Sequence, residues 1–102
     1  MKNNKLSIGL NDKDNLKQLI ATQDAIFIIK QLMESLKKGF SLKEMQGGYE
    51  MENGEYVFEN SLELSIFGIH KESLFSICDY LKRQFNQESI LIVEIKEQAI
   101  FY

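Results

Sequence analysis

FSLKEMQGGYEMENGEYVFENSLELSIFG, residues 40–68, reads as one long β-hairpin turning at Asn53-Gly54. An Asn-Gly pair between two strand-like runs is the strongest short-range hairpin signal, because a two-residue type I′ turn needs positive φ at both central positions. With those two residues as the loop, Met51 is expected opposite Tyr56, Tyr49 opposite Phe58, Gly47 opposite Asn60 and Met45 opposite Leu62, on one largely apolar side. Glu50 with Val57, Gly48 with Glu59, and Gln46 with Ser61 then form a mostly polar side, as a sheet covered on one face requires. Continued back from Met45, the alternation would put Lys43 into the core opposite Leu64. A one-residue bulge between Lys43 and Met45 is therefore expected, returning Leu42 and Phe40 to the core face.

Working outward, Lys5 to Leu10 alternates as a first strand, with Leu6, Ile8 and Leu10 on one side. Turn-forming residues follow from Asn11 to Asn15. Leu16 to Ala21 fits either an extra helical turn or an apolar loop. Thr22 is a candidate N-cap, with Asp24 in the first turn. Ala25, Ile26, Ile29, Leu32, Met33 and Leu36 then recur at helical spacing, predicting a helix from Gln23 to Lys38 that stops at Gly39. After the hairpin, Leu74, Ile77, Cys78, Leu81 and Phe85 form one stripe of a helix from Lys71 to Phe85, with Asn86 as its left-handed stop. Ser89 to Ile95 is a strand rich in β-branched residues, and Gln98 to Tyr102 reads as a short returning strand. The order is α+β and ferredoxin-like: βαββαβ with a long central hairpin, an extra C-terminal strand, and two helices on one face of an antiparallel sheet in strand order 4-1-3-2. Residues 1–102 form one domain, with residues 1–4 expected to be a flexible start.

Composition narrows the function classes. The chain has 102 residues, 44% of them hydrophobic and 26% charged, which suits one globular domain. A net charge of −3 and a pI near 5.2 argue against a nucleic-acid binder, whose affinity rests on basic surface. Lys37-Lys38 and Lys82-Arg83 each fall in the last turn of an expected helix, where cations complement the dipole. Cys78 is the one cysteine and His70 the one histidine, so neither a disulfide nor the usual zinc spacing arises. Neither a metal nor a cofactor is expected. The N-terminal apolar segment is too short for a leader or a span, and a cytoplasmic protein without membrane contact is expected.

From Met45 onward a run of residues resembles a known family. Gly48-Tyr49, Gly54, Glu59-Asn60-Ser61-Leu62 and Phe85-Asn86-Gln87-Glu88-Ser89-Ile90-Leu91 are similar to uncharacterised bacterial ferredoxin-like proteins, a domain of unknown function. The resemblance implies a fold and residues to watch, and no activity.

Two polar clusters and one apolar one are candidates for function. Glu59, Ser61 and Glu63 sit at alternate positions of a central strand, so their side chains emerge together on the open face, where carboxylates bind cations or act as acid and base. Gln87, Glu88 and Ser89 stand where the second helix hands over to the fourth strand, and can satisfy backbone groups there. The third strand is expected to begin at the opposite end of the sheet from the fourth, and six strand residues span about 20 Å. Glu59 and Glu88 would then meet only across a dimer. Asn11, Asp12 and His70 are the expected neighbours of the fourth strand's start, beside helix N-termini. Finally, strands of about twelve residues outreach helices of fifteen. Tyr49, Met51, Tyr56 and Phe58 should overhang as an aromatic interaction surface.

These readings lead to an expected function: a small, intracellular, non-enzymatic protein-interaction module, of the kind of a phage- or mobile-element-encoded inhibitor. It would bind a protein partner or itself through the hairpin face or a sheet edge. The alternative is a small metal-dependent hydrolase or nuclease, or a nucleotide-binding protein, acting as a dimer through Asp12 and Glu88.

Overall fold

The structure, a computed structural model, describes residues 2–96 and Ile100. In chain order the elements are β1 (Lys2–Gly9), α1 (Thr22–Ser35), β2 (Ser41–Glu50), β3 (Tyr56–Phe67), α2 (Lys71–Phe85) and β4 (Leu91–Lys96). The sheet runs β2-β3-β1-β4, and each neighbouring pair is antiparallel. This is α+β, with two helices and four strands, and consistent with a ferredoxin-like fold. The expected final strand, Gln98 to Tyr102, lies outside the described residues apart from Ile100.

The strand alternation decides where the core sits. Leu6 and Ile8 of β1 and Leu62, Leu64 and Ile66 of β3 are fully buried against Ala25, Ile29 and Met33 of α1 and Leu74, Ile77, Leu81 and Phe85 of α2. Each large side chain so buried stabilises the fold by roughly 1.5–3 kcal/mol. Cys78 is part of this layer, and desolvation above all, with Asp79 adding, pushes its thiol pKa up. The intervening residues, Ser7, Glu59, Ser61, Glu63 and Ser65, point to the helix-free face and are half-buried.

The hairpin register differs from the expected one by one residue. Met51 N–H donates to Glu55 O (2.8 Å), Gly54 N–H donates to Met51 O (2.9 Å), and Glu55 N–H donates to Asn53 Oδ1 (3.0 Å). Gly54 has φ 89°, whereas Asn53 is not left-handed. The loop is thus three residues, a type I turn followed by a left-handed glycine, in place of a two-residue type I′ turn. Pairing then runs without interruption from Glu50↔Tyr56 to Ser41↔Ser65, including Leu42↔Leu64 and Lys43↔Glu63. The extra residue that keeps Lys43 out of the core is absorbed at the turn, and the expected bulge between Lys43 and Met45 does not form. From Met45 to Glu50 every β2 side chain accordingly changes its partner, whereas Leu42 has Leu64 opposite it as expected. Tyr49 and Met45 lie on the open face with Val57, Glu59 and Ser61, while Tyr56 and Phe58 lie on the helix side. Tyr56 crosses Gly48, where a Cβ would come within 2.6 Å of its ring.

Smaller corrections concern the element ends. β1 begins at Lys2, three residues before the expected start of the first strand at Lys5. α1 is preceded by Ala21 without a side-chain cap, and Thr22 Oγ1 instead accepts from Gln18 Nε2 (3.0 Å). It ends before Gly39. Lys37 takes the left-handed conformation (φ 54°), with Lys38 N–H donating to Met33 O and Lys37 N–H to Glu34 O, a Schellman pair. Lys37-Lys38 therefore stands beyond the helix, whereas Lys82 and Arg83 are in the last turn of α2. α2 has the expected bounds, and Asn86 ends it at φ 47°.

Candidate functional site

β3 and β4 both run antiparallel to β1, and therefore run in the same direction as each other. Both begin at the end of the sheet where β1 finishes. This corrects the expectation that Glu59 and Glu88 are kept apart within one chain. They line the same cavity of about 210 Å³, and the reason for invoking a dimer disappears. His70, by contrast, precedes α2 at the far end, beyond Phe67, which pairs with Asn3. The end of α2 that reaches Asp12 is its C-terminus, through Asn86.

The corner is a trough of two adjoining lobes. The larger, about 380 Å³, is lined by Ser7, Gly9, Gly47, Gly48, Ser61 and Leu91. The smaller is lined by Asn11, Asp12, Lys13, Leu16 and Glu88. Tyr49, Glu59, Gln87 and Ser89 belong to both and form their junction. Two glycines in succession on β2 keep one wall low, and Tyr49 closes it.

Glu59 is held from several sides. Its carboxylate lies over Gly9, where a Cβ would come within 2.5 Å of Oε2. Oε2 accepts the Asn11 backbone N–H (3.0 Å), and Asn11 Nδ2 donates to Phe58 O (3.0 Å). Gln87 Nε2 donates to Asn11 O (2.6 Å) and to Phe85 O (3.3 Å), tying the α2–β4 junction to the same turn. The ends of three elements are thus tied together at Asn11, whose backbone N–H holds the Glu59 carboxylate.

Asp12 has a different character. Its Oδ2 accepts from Asp14 N, Asn15 N and Asn15 Nδ2, and its Oδ1 accepts from Asn86 Nδ2 (2.8 Å). The Asn86 bond chiefly, opposed by desolvation and aided by Asp14 and Asn15, holds its carboxyl below the usual value. One oxygen is thus committed to the turn after β1 and the other to the end of α2.

Of the polar residues expected from sequence, the fold brings Asp12, Glu59, Ser61, Gln87, Glu88 and Ser89 to the trough, and leaves Glu63 farther along the open face opposite Ser7. The aromatic set is divided. Tyr56 and Phe58 are 60% and 79% exposed on the helix side and meet edge to face at 5.2 Å, Tyr49 is on the other face, and Met51 is at the turn. Asn11 stands beside the start of the fourth strand as expected, whereas Ser7, Gly9 and Lys13 were not legible as site residues. The only signal available was a glycine ending an otherwise apolar-alternating strand. Other cavities are a polar one beside Thr22, Glu44 and Gln46 and an apolar cleft between the helices near Leu36 and Tyr80. Among the described residues no three His, Cys, Asp or Glu side chains converge as a metal site, and no helix is long and apolar enough to cross a membrane.

The family described as Protein of unknown function (DUF3574) matches residues 3–101. The chain belongs to this family. No curated protein matches it. Among solved structures, the DUF3574 chain is similar to a phage SAM lyase in complex with S-methyl-5′-thioadenosine, with a TM-score of 0.68 and 22% identity, covering 93% of this chain and 80% of that one. The same comparison with a phage SAM lyase in the apo state gives a TM-score of 0.64 and 21% identity, covering 92% and 78%. At this identity the likeness shows a shared fold. It also overturns the expectation of a non-enzymatic interaction module, since both of these structures are of an enzyme, one with a small molecule bound.

Proposed function

We propose that this chain binds S-adenosylmethionine in the strand-end trough and cleaves it to S-methyl-5′-thioadenosine. The observation that carries the reading is the Glu59 carboxylate, fixed at the junction of two adjoining lobes. A sulfonium joins a nucleoside on one side to an amino-acid chain on the other, with a permanent positive charge at the branch. An anion between two cavities is the complementary arrangement. The likeness to the lyase fold supports the choice of ligand.

In the cleavage, the bond between sulfur and the amino-acid chain breaks and its electron pair stays on sulfur, which becomes a neutral thioether. The carbon left behind is satisfied by attack of the substrate's own carboxylate, which forms the carbon–oxygen bond of a lactone as the carbon–sulfur bond breaks and requires no proton acceptor. Positive charge at sulfur is consumed on the way to the transition state. Glu59 therefore contributes binding and orientation of the sulfonium, because a contact that weakens along the reaction cannot accelerate it. Rate comes from holding the reacting chain in one conformation within the trough.

The test is incubation of the purified chain with S-adenosylmethionine, with S-methyl-5′-thioadenosine followed by chromatography and affinity by calorimetry. Product formation in the wild type is expected. Glu59→Gln should weaken S-adenosylmethionine binding about tenfold, a difference of about 1.4 kcal/mol, and leave the neutral S-methyl-5′-thioadenosine unaffected. A wild-type protein that neither binds nor turns over S-adenosylmethionine would overturn the proposal.

A further inference from the structure

The smaller lobe differs from the larger in charge. Its wall carries one cation, Lys13, and one free-standing anion, Glu88, whereas Asp12 is occupied by Asn15 and Asn86. Among the described residues neither the Lys13 ammonium nor the Glu88 carboxylate makes an ion pair or a side-chain hydrogen bond, and both side chains are exposed. The larger lobe has no charged group apart from the shared Glu59, and is walled by hydroxyls, glycine backbone, Tyr49 and Leu91. Their volumes also differ, about 380 against about 210 Å³.

Resting on the reading above, we infer that the smaller lobe is an α-amino-acid subsite, in which Lys13 meets the ligand's carboxylate and Glu88 its ammonium, while the larger lobe takes the nucleoside. A zwitterion presents one charge of each sign within a few ångströms, and a lobe with one cation and one anion at its rim matches that pair. A nucleoside has no formal charge and a broad ring. It suits the larger lobe, where serine hydroxyls can meet its polar edges and Tyr49 its face. The backbone supports the assignment of Lys13. Its N–H donates to Asn86 O (3.1 Å), so the turn that carries it is anchored to the junction that carries Glu88.

Two neutral-sulfur ligands separate this subsite from the sulfonium contact. S-adenosylhomocysteine has the amino-acid group, and S-methyl-5′-thioadenosine has a methyl in its place. Calorimetry on the full chain should show Lys13→Ala and Glu88→Gln each weakening S-adenosylhomocysteine several-fold, with S-methyl-5′-thioadenosine unchanged. Both residues are exposed, so neither variant should disturb folding, and an unchanged melting temperature verifies it. Equal losses for the two ligands, or no loss for either, overturn the subsite while leaving the adenosyl reading in place. Failure of the wild type to bind any of the three adenosyl compounds overturns both.

Discussion

A Cβ at position 9 would lie 2.5 Å from a Glu59 carboxylate oxygen, so the absence of a side chain there is what lets Glu59 rest over β1. The clashing atoms are the far end of a flexible side chain, and the backbone has no need to move. Gly9→Ala is therefore expected to leave the melting temperature nearly unchanged while expelling Glu59 from its contact with Asn11. Affinity for S-adenosylmethionine should fall about as far as in Glu59→Gln, about tenfold or 1.4 kcal/mol. Calorimetry beside a thermal melt checks both halves, and full affinity would show that the resting place of Glu59 is immaterial. Asp12 makes a prediction in pH. Its folded-state pKa is depressed, so its contribution to stability is complete above the unfolded value, near 4, and is lost as pH falls through the folded value. Urea titrations should find the stability gap between wild type and Asp12→Asn closing as the pH drops below that point; a constant gap would mean that charge plays no part.

At the scale of elements, the two helix ends show how far local sequence reaches. Asn86 was legible as the stop of α2, because asparagine tolerates the left-handed conformation better than other non-glycine residues. α1 instead stops at Lys37, a residue without that tolerance, although Gly39 stands two positions away. The link to β2 must leave the helix there to bring Leu42 under the core, and the conformational cost is accepted locally. Lys37→Gly is expected to stabilise the protein by about 0.5–1 kcal/mol, measurable as a higher urea midpoint with an unchanged slope. The hairpin gives the companion lesson. Asn53-Gly54 marked the turn correctly, but turn length depends on whether Lys43 or Leu42 is buried opposite Leu64, near the far end of a ladder that no dipeptide encodes. Sequence supplied the need for one extra residue, and the structure put it at Gly54.

For the whole molecule, the trough depends on chain direction more than on composition. Because β1 is central and antiparallel to both β3 and β4, the starts of those two strands converge, and residues 59 and 88 become neighbours. A ligand bridging β2, β3, the turn after β1 and the α2–β4 junction should stabilise all of them together. At a hundredfold excess over its dissociation constant, S-adenosylmethionine is expected to add about 2.7 kcal/mol, raising the melting temperature on the order of 10 °C for a domain of this size. Scanning fluorimetry tests this directly, and no shift at saturating ligand would exclude binding to the native state. By itself the sequence determined the two helices and four strands of the described residues, the core stripes of both helices, β1 and β3, and the strand order, since these follow from periods of two and 3.6 and from turn chemistry along the chain. It also marked Glu59 and the Gln87-Glu88-Ser89 run as polar residues in unusual positions. Only the tertiary structure decided that they share one cavity, that Tyr49 joins them rather than Tyr56 and Phe58, and that Asp12 is spent on its own turn and on Asn86 at the end of α2. Those outcomes rest on strand direction, a one-residue register and hydrogen bonds between residues as far apart as Asp12 and Asn86, quantities that become defined only when the chain closes on itself.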